Sequence, residues 1–191
     1  LLKDPGYGVA DYKLNLKFGR QMKVQGVLKV ESDRPRTEFL FTLYRDFDLN
    51  QWNVEDLQCT CRREGDSIIV SFAEPVESFE TTISYSGFHK KFYSNSQAAM
   101  LPGYFPWYPM AGERQIFLEN TKIMSTYGYN PYNRIEKAHV RLQTDGKFRT
   151  ITNLKSTGEN EYEGDADSIT LFGGQMEEAD HFLFENYLPL D

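Results

Sequence analysis

The sequence has 191 residues, which is enough for one domain with a full hydrophobic core, and its formal net charge is −7. No run of Lys or Arg exceeds two residues, and phosphate binding needs a clustered positive surface, so the composition argues against nucleic-acid binding. Apolar runs are only a few residues long, which excludes a membrane-spanning helix from this stretch.

The N-terminal residues show neither an initiator Met nor a signal-peptide pattern, so we expect residues 1–191 to be a single domain taken from a longer chain. Most of the sequence alternates between apolar and polar residues, as half-buried strands do. The predicted strands, in chain order, are 12–18, 22–30, 38–44, 54–62, 67–72, 79–85, 137–143, 147–152, 160–164, 168–172 and 181–187.

Between these strands the sequence predicts loops or turns, at 32–35, 46–53, 64–66, 74–75 and 126–133. No long amphipathic helix is predicted, and 113–132 matches no element clearly. Strands every 10–15 residues with turn signals between them favour an all-β, mainly antiparallel sandwich over βαβ units.

The least generic stretch is 95–109, which joins the earlier strands to the later ones. Three of its residues from 102 to 109 are prolines, so no helix can form there. The same positions carry Tyr104, Phe105, Trp107 and Tyr108. A flexible loop rarely contains so many rings, so we predict an ordered connection.

These rings and the tyrosines at 127, 129 and 132 allow two interpretations. In the first, two long loops pack against each other and against the sandwich, as buried aromatic residues usually do. In the second, the rings form an exposed platform for a peptide, a glycan or a partner protein.

No catalytic or metal-binding residues are predicted. Cys59 and Cys61 alternate along a strand and are expected to be buried small residues; a Cys-x-Cys metal or redox site is the alternative. The histidines at 89, 139 and 181 have no partner at helical or strand spacing, and His139 is expected to face solvent. The acidic run 159–167 does not have the spacing of a calcium loop and is interpreted as a solvated hairpin edge.

Several local motifs resemble one family, the N-terminal β domain of the zinc aminopeptidases of the aminopeptidase N class. The motifs are Phe39-Leu40-Phe41-Thr42-Leu43, Tyr85-Ser86-Gly87, Ser94-Asn95-Ser96-Gln97-Ala98-Ala99 and Pro106-Trp107-Tyr108-Pro109. The Trp-Tyr-Pro version resembles the bacterial branch in which this domain is fused to transporter-type permease segments.

The resemblance implies a saddle-like β-sandwich fold and, at the position of Gln97, a residue that contacts the N-terminal end of a peptide substrate. The family's His-Glu-x-x-His zinc site lies in a following domain, so zinc would enter only if such a domain follows. Residues 174–178 superficially match the family's Gly-x-Met-Glu-Asn loop but end in Glu, and we interpret them as a turn.

Three functions follow as hypotheses. The first is a non-catalytic accessory domain of a larger, permease-like bacterial membrane protein, exposed outside the cytoplasm and in contact with a neighbouring domain or a peptide. The second is the substrate-side wall of a zinc aminopeptidase, and the third is glycan binding. The residues predicted to contact a substrate or partner are Gln97, Tyr104, Trp107, Tyr108 and Tyr129.

Overall fold

The computed structural model describes residues 4–89, 92–179 and 182–185. Strands dominate the fold, and the one helix in this part of the chain is seven residues long. The elements are β1 (Tyr7–Phe18), β2 (Met22–Thr42), β3 (Phe47–Val54), β4 (Cys59–Glu64), β5 (Ser67–Gly87), β6 (Ala99–Leu101), β7 (Met110–Ala111), α1 (Thr121–Tyr127), β8 (Ala138–Thr144), β9 (Arg149–Thr152), β10 (Lys155–Gly158), β11 (Glu161–Ala166), β12 (Leu171–Gly174), β13 (Met176–Ala179) and β14 (Phe182–Glu185).

Nine of these strands form one large sheet, in the order β10-β11-β8-β1-β2-β5-β3, with β4 added to β5 and β7 to β2. All pairs are antiparallel except β1 and β8, which run parallel. A smaller sheet has the order β6-β12-β9, and β13 pairs with β14. The all-β prediction is therefore confirmed, with one parallel pair at the centre of the large sheet.

Two strands are much longer than predicted, because β2 and β5 each run for 21 residues. The loops predicted at 32–35 and 74–75 lie inside them. Their pairing is irregular between Glu31 and Glu38, so Pro35 and Pro75 occupy positions where no regular ladder hydrogen bond is required. The predicted breaks are thus bends within continuous strands.

The two halves of this long pair fold over each other. The later half of β5 pairs with β3 and the earlier half with β4. Across the fold, the ring of Phe41 in β2 lies 4.9 Å from that of Trp52 in β3. Phe39 packs edge-on against Phe72 and Phe79 at 5.8 and 5.0 Å. This aromatic layer fills the interior of the sandwich.

The turn predicted at 46–53 is wrong, since β3 occupies it. Phe47, Trp52 and Val54 are buried, while most residues between them are exposed. An edge strand with a register shift between Leu49 and Gln51 tolerates the polar residues that suggested a turn.

The cysteine strand also differs from its prediction. It begins at Cys59 rather than at residue 54, and Cys61 is exposed while Cys59 is half-buried. Both are free thiols on an edge strand, so the expectation that both are buried is wrong.

Other predictions at the later part of the chain are mixed. The turn predicted at 64–66 is confirmed and joins β4 to β5. The strand predicted at 137–143 is confirmed as β8. A short helix, α1, begins after the Asn120 cap and ends at Gly128, whose φ of 72° is left-handed. The predicted loop 126–133 therefore starts with the last turn of a helix. Of the predicted strand 181–187, the structure describes 182–185 as β14, and the rest, with His181, lies outside the described residues.

No helix in the described ranges is long and apolar enough to cross a membrane.

Candidate functional site

The segment from residue 102 to 109 is buried and tied down by its own rings. Trp107 and Tyr108 have no exposed surface. The indole Nε1 of Trp107 donates to the carbonyl of Ile169 at 3.0 Å, and the Tyr108 hydroxyl donates to the carbonyl of Gly103 at 2.9 Å. The Tyr12 hydroxyl reaches the carbonyl of Pro109 at 2.8 Å. Desolvation raises the pKa of the Tyr108 hydroxyl, which stays neutral and available as a donor.

Tyr129 belongs to a second buried cluster, centred on His89. The Tyr129 hydroxyl lies 2.6 Å from His89 Nε2, and His89 Nδ1 accepts the Phe92 backbone N–H at 3.2 Å. These contacts assign the His89 proton to Nε2, which donates to Tyr129. Tyr129 also hydrogen-bonds the hydroxyl of Tyr44, and burial raises its pKa. Phe105 packs against Tyr129 with ring centroids 4.9 Å apart.

The ring-platform hypothesis is therefore wrong for Trp107, Tyr108 and Tyr129, because their rings face the interior of this domain. Tyr104 is half-buried and packs at 6.4 Å against Phe92. It is the one ring among the four predicted contact rings with substantial exposed surface. The interpretation in which two loops pack together describes this region.

Gln97 differs from all of these rings because it is exposed. It lies in the 94–98 turn, defined as Ser94-Asn95-Ser96-Gln97-Ala98, which joins residue 93 to β6. The side-chain oxygen of Asn95 accepts the N–H groups of Gln97 and Ala98 at 2.8 and 3.1 Å. The Asn95 N–H donates to the Ala98 carbonyl at 3.1 Å.

The turn is thus closed by hydrogen bonds among three of its own residues and is also fixed at its base. Ser94 forms a bridge with Ala99, and Met100 N–H donates to the Tyr93 carbonyl at 2.7 Å. In the described part of the chain the Gln97 carboxamide makes no hydrogen bond, so its donors and acceptor point to solvent. A fixed backbone with a free carboxamide can recognise a polar group without ordering the loop first.

The sequence pointed to Gln97 but not to His89, which is buried, with 5% of the residue's surface exposed. Its two basic neighbours suggested a solvent loop. The spacing of His89 and Phe92 could have indicated that His89 is ordered, since a ring nitrogen can accept the backbone N–H of the residue three positions later, as His89 Nδ1 does.

The remaining polar candidates among the described residues are His139 and the acidic run 159–167. His139 is half-buried on β8, with Nε2 2.8 Å from Glu163 and Nδ1 3.1 Å from Asp165. These carboxylates raise the pKa of His139, Asp165 more than Glu163. The acidic run covers the turn after β10 and strand β11, and β11 is an inner strand rather than a sheet edge. Among the described residues, no three His, Cys, Asp or Glu side chains form a group able to hold a metal ion.

Comparison with solved structures shows that this fold resembles part of several larger proteins. The structure is similar to the M1 zinc metallopeptidase from Deinococcus radiodurans, with a TM-score of 0.59 and 10% identity over 92% of this chain and 44% of that one. A two-domain mutant of an M1 zinc metallopeptidase bound to L-arginine gives a TM-score of 0.58 at 10% identity, over 92% and 44% of the two chains. Yeast LTA4 hydrolase in complex with bestatin gives 0.51 at 13% identity, over 91% and 29%.

The fold is that of an aminopeptidase N-terminal β domain. No family model matches the sequence, and no curated protein matches it either. At these identities the likeness shows the fold alone. The chain spans less than half the length of the solved structures that it resembles.

Proposed function

We propose that this domain is a non-catalytic accessory domain of a larger protein, in which the 94–98 turn is presented to a neighbouring domain of the same chain or to a peptide. The observation that carries the proposal is the exposed Gln97 on a turn whose backbone is fixed by Asn95. A recognition residue needs an accessible polar group held on a rigid support.

Two parent proteins are compatible with this role. In the first, which we favour, the parent is a permease-like bacterial membrane protein, this domain lies outside the cytoplasm, and membrane contact is made only by segments outside this sequence. In the second, the parent is a zinc aminopeptidase, and Gln97 contacts the free N-terminal end of the peptide substrate. The fold supports the second, since two of the structures that it resembles are named M1 zinc metallopeptidases.

Glycan binding has less support. It required exposed rings such as Trp107, and that ring has no exposed surface.

The presentation of the turn is tested by photo-crosslinking in the full parent protein. A photoreactive amino acid is placed at position 97 and, as a control, at exposed Arg34, which lies in the irregular part of β2. We expect a specific crosslink from position 97 to a neighbouring domain or to a bound peptide. Equal, diffuse crosslinking from both positions would contradict the proposal.

The choice between parents is tested by enzyme assay of the same full-length protein. A zinc aminopeptidase should release N-terminal residues from peptides in a zinc-dependent, bestatin-sensitive way. Gln97→Ala should then lower kcat/KM by about tenfold or more, since a hydrogen bond to a charged group is worth about 1.5–3 kcal/mol. Ser96→Ala, in the same turn, should have little effect. If the folded, zinc-loaded parent shows no such activity, the zinc aminopeptidase hypothesis is contradicted. The result then favours an accessory role in a membrane protein.

A further inference from the structure

A cleft far in sequence from the 94–98 turn lies between the edge strands β3 and β4. It has a volume of about 460 Å³. The buried residues Phe47 and Trp52 and the exposed residues Asp48, Gln51 and Cys61 are among those that line it. We name it the β3–β4 cleft.

Two residues that line this cleft, Trp52 and Arg63, each carry a buried hydrogen-bond donor that is unsatisfied. Trp52 is nine-tenths buried, and its indole Nε1 makes no hydrogen bond. The Nη1 atom of Arg63 is also buried without a hydrogen-bond partner. Buried donors are paired in nearly all native structures, so two such groups in one cleft call for an explanation.

The Arg63 side chain is held in place by its other nitrogens. Its Nε donates to the Gly65 carbonyl at 2.7 Å, and its Nη2 donates to the carbonyls of Leu43 and Tyr44 at 2.7 and 3.1 Å. These contacts fix the plane of the guanidinium, so the position of Nη1 is set before any ligand binds.

The charge of Arg63 is also uncompensated by direct contact. Within the described residues no carboxylate lies within ion-pair distance of it. The neighbouring Arg45 is already paired, at 2.6 Å, with Asp66. Burial lowers the pKa of Arg63, but a guanidinium still remains charged at neutral pH.

The ligand chemistry follows from these two donors. A fixed cationic N–H and a neutral indole N–H together suit an acceptor with two oxygens and a negative charge, and the indole and Leu49 offer apolar surface to its carbon part. An added peptide strand is less favourable, since the register shift between Leu49 and Gln51 interrupts the edge of β3.

We propose that the β3–β4 cleft binds an organic carboxylate, to whose oxygens Trp52 Nε1 and Arg63 Nη1 donate. Because neither donor atom exposes surface, a ligand reaches them only when the groups that cover these two atoms move. Asp48, which is exposed and acidic, opposes binding by like-charge repulsion. The carboxylate could belong to a small organic acid or to the C-terminus of a peptide.

The test uses the two tryptophans as probe and control. In ¹⁵N-labelled protein each indole N–H gives its own NMR signal, and Trp52→Phe identifies the signal of Trp52. The probes are acetate, benzoate, a tripeptide acid and the corresponding tripeptide amide. We expect a saturable shift of the Trp52 signal with at least one free acid and none with the amide. The Trp107 signal should not move, because that indole already donates to Ile169.

The same titration separates the two sources of the carboxylate. A response to acetate or benzoate alone indicates a small organic acid, and a response to the tripeptide acid alone indicates a peptide C-terminus. A response to acid and amide alike, or to none of the probes, would overturn the proposal.

Variants then assign the donors. Arg63→Lys keeps the charge but loses the fixed N–H pair, and we expect roughly tenfold weaker binding. Its matched control is Arg62→Lys, since Arg62 is exposed on the adjacent position of β4. Unchanged binding in a folded Arg63→Lys variant would overturn the assignment.

Asp48→Asn covers the case in which Arg63→Lys does not fold. It removes the opposing charge, so binding should strengthen by about twofold to fivefold at low salt. Unchanged affinity at low salt would contradict the proposal that the cleft binds a carboxylate.

Discussion

Two adjacent parts of one connection differ in exposure. The 94–98 turn exposes Gln97 and is closed by hydrogen bonds among its own residues, whereas residues 102–109 are largely buried and joined by side chains to distant parts of the chain. A few residues of sequence separate them. Aromatic content does not identify a binding surface here, because the ring-rich half is the structural one and the half with small polar residues carries the accessible group.

The largest effect is expected at the centre of the buried half. Trp107→Ala removes a fully buried ring and its hydrogen bond to Ile169, so unfolding free energy should fall by about 3–5 kcal/mol. Urea denaturation measures the loss. The control is Tyr132→Ala, a ring that is 70% exposed and whose loss should cost less than about 0.5 kcal/mol. If Trp107→Ala lowers the unfolding free energy by less than about 1 kcal/mol, residues 102–109 are not the structural part of the connection.

The next effect tests the buried cluster around His89 and Tyr129. Tyr129→Phe keeps the ring but removes the hydroxyl that lies 2.6 Å from the buried Nε2 of His89, and we expect the unfolding free energy to fall by about 1–3 kcal/mol. Thermal or urea unfolding measures it, with Tyr132→Phe as the exposed control. Equal stability of Tyr129→Phe and the parent would mean that the hydrogen bond adds nothing to the buried half.

A smaller effect is expected for Asn95→Ala, which removes the acceptor for the N–H groups of Gln97 and Ala98. The unfolding free energy should fall by roughly 1 kcal/mol. This is the cost of losing a helix N-cap, whose side-chain oxygen also accepts backbone N–H groups. Crosslinking from position 97 should also become weaker and less specific. If crosslinking is unchanged, the fixed turn is not what orients Gln97.

The smallest effect on stability is expected where function is proposed. Gln97→Ala changes an exposed side chain without a hydrogen bond, so unfolding free energy should change by less than about 0.5 kcal/mol. The same variant should impair partner or substrate recognition in the parent protein. A clear loss of stability would show that Gln97 belongs to the structural half.

The sequence predicted the fold class and the local alternation of β1 and β8 because period-two patterns follow directly from strand geometry. It did not predict that β2 and β5 continue through Pro35 and Pro75, since an irregular ladder is a property of the pair and not of one strand. Strand β3 was also missed, because its polar residues suggested a turn. They are tolerated because the strand lies at the edge of the sheet, and that position cannot be read from the sequence of the strand.

At the candidate site, the sequence alone did not show whether Gln97 is exposed. The burial of Trp107 could not be predicted either, because a ring beside prolines has the same local signal inside or outside a protein. Its position depends on Ile169, which is distant in sequence and becomes a neighbour only in the folded chain.

Strand β1 pairs on one side with β2, directly after it, and on the other with β8, whose residues 138–144 come much later. During synthesis, one edge of β1 therefore stays unpaired until residue 144 has left the ribosome. An unpaired strand with buried-type residues such as Leu14 and Leu16 can pair with other chains. We expect soluble yield to depend on translation rate and on chaperones that cover this edge.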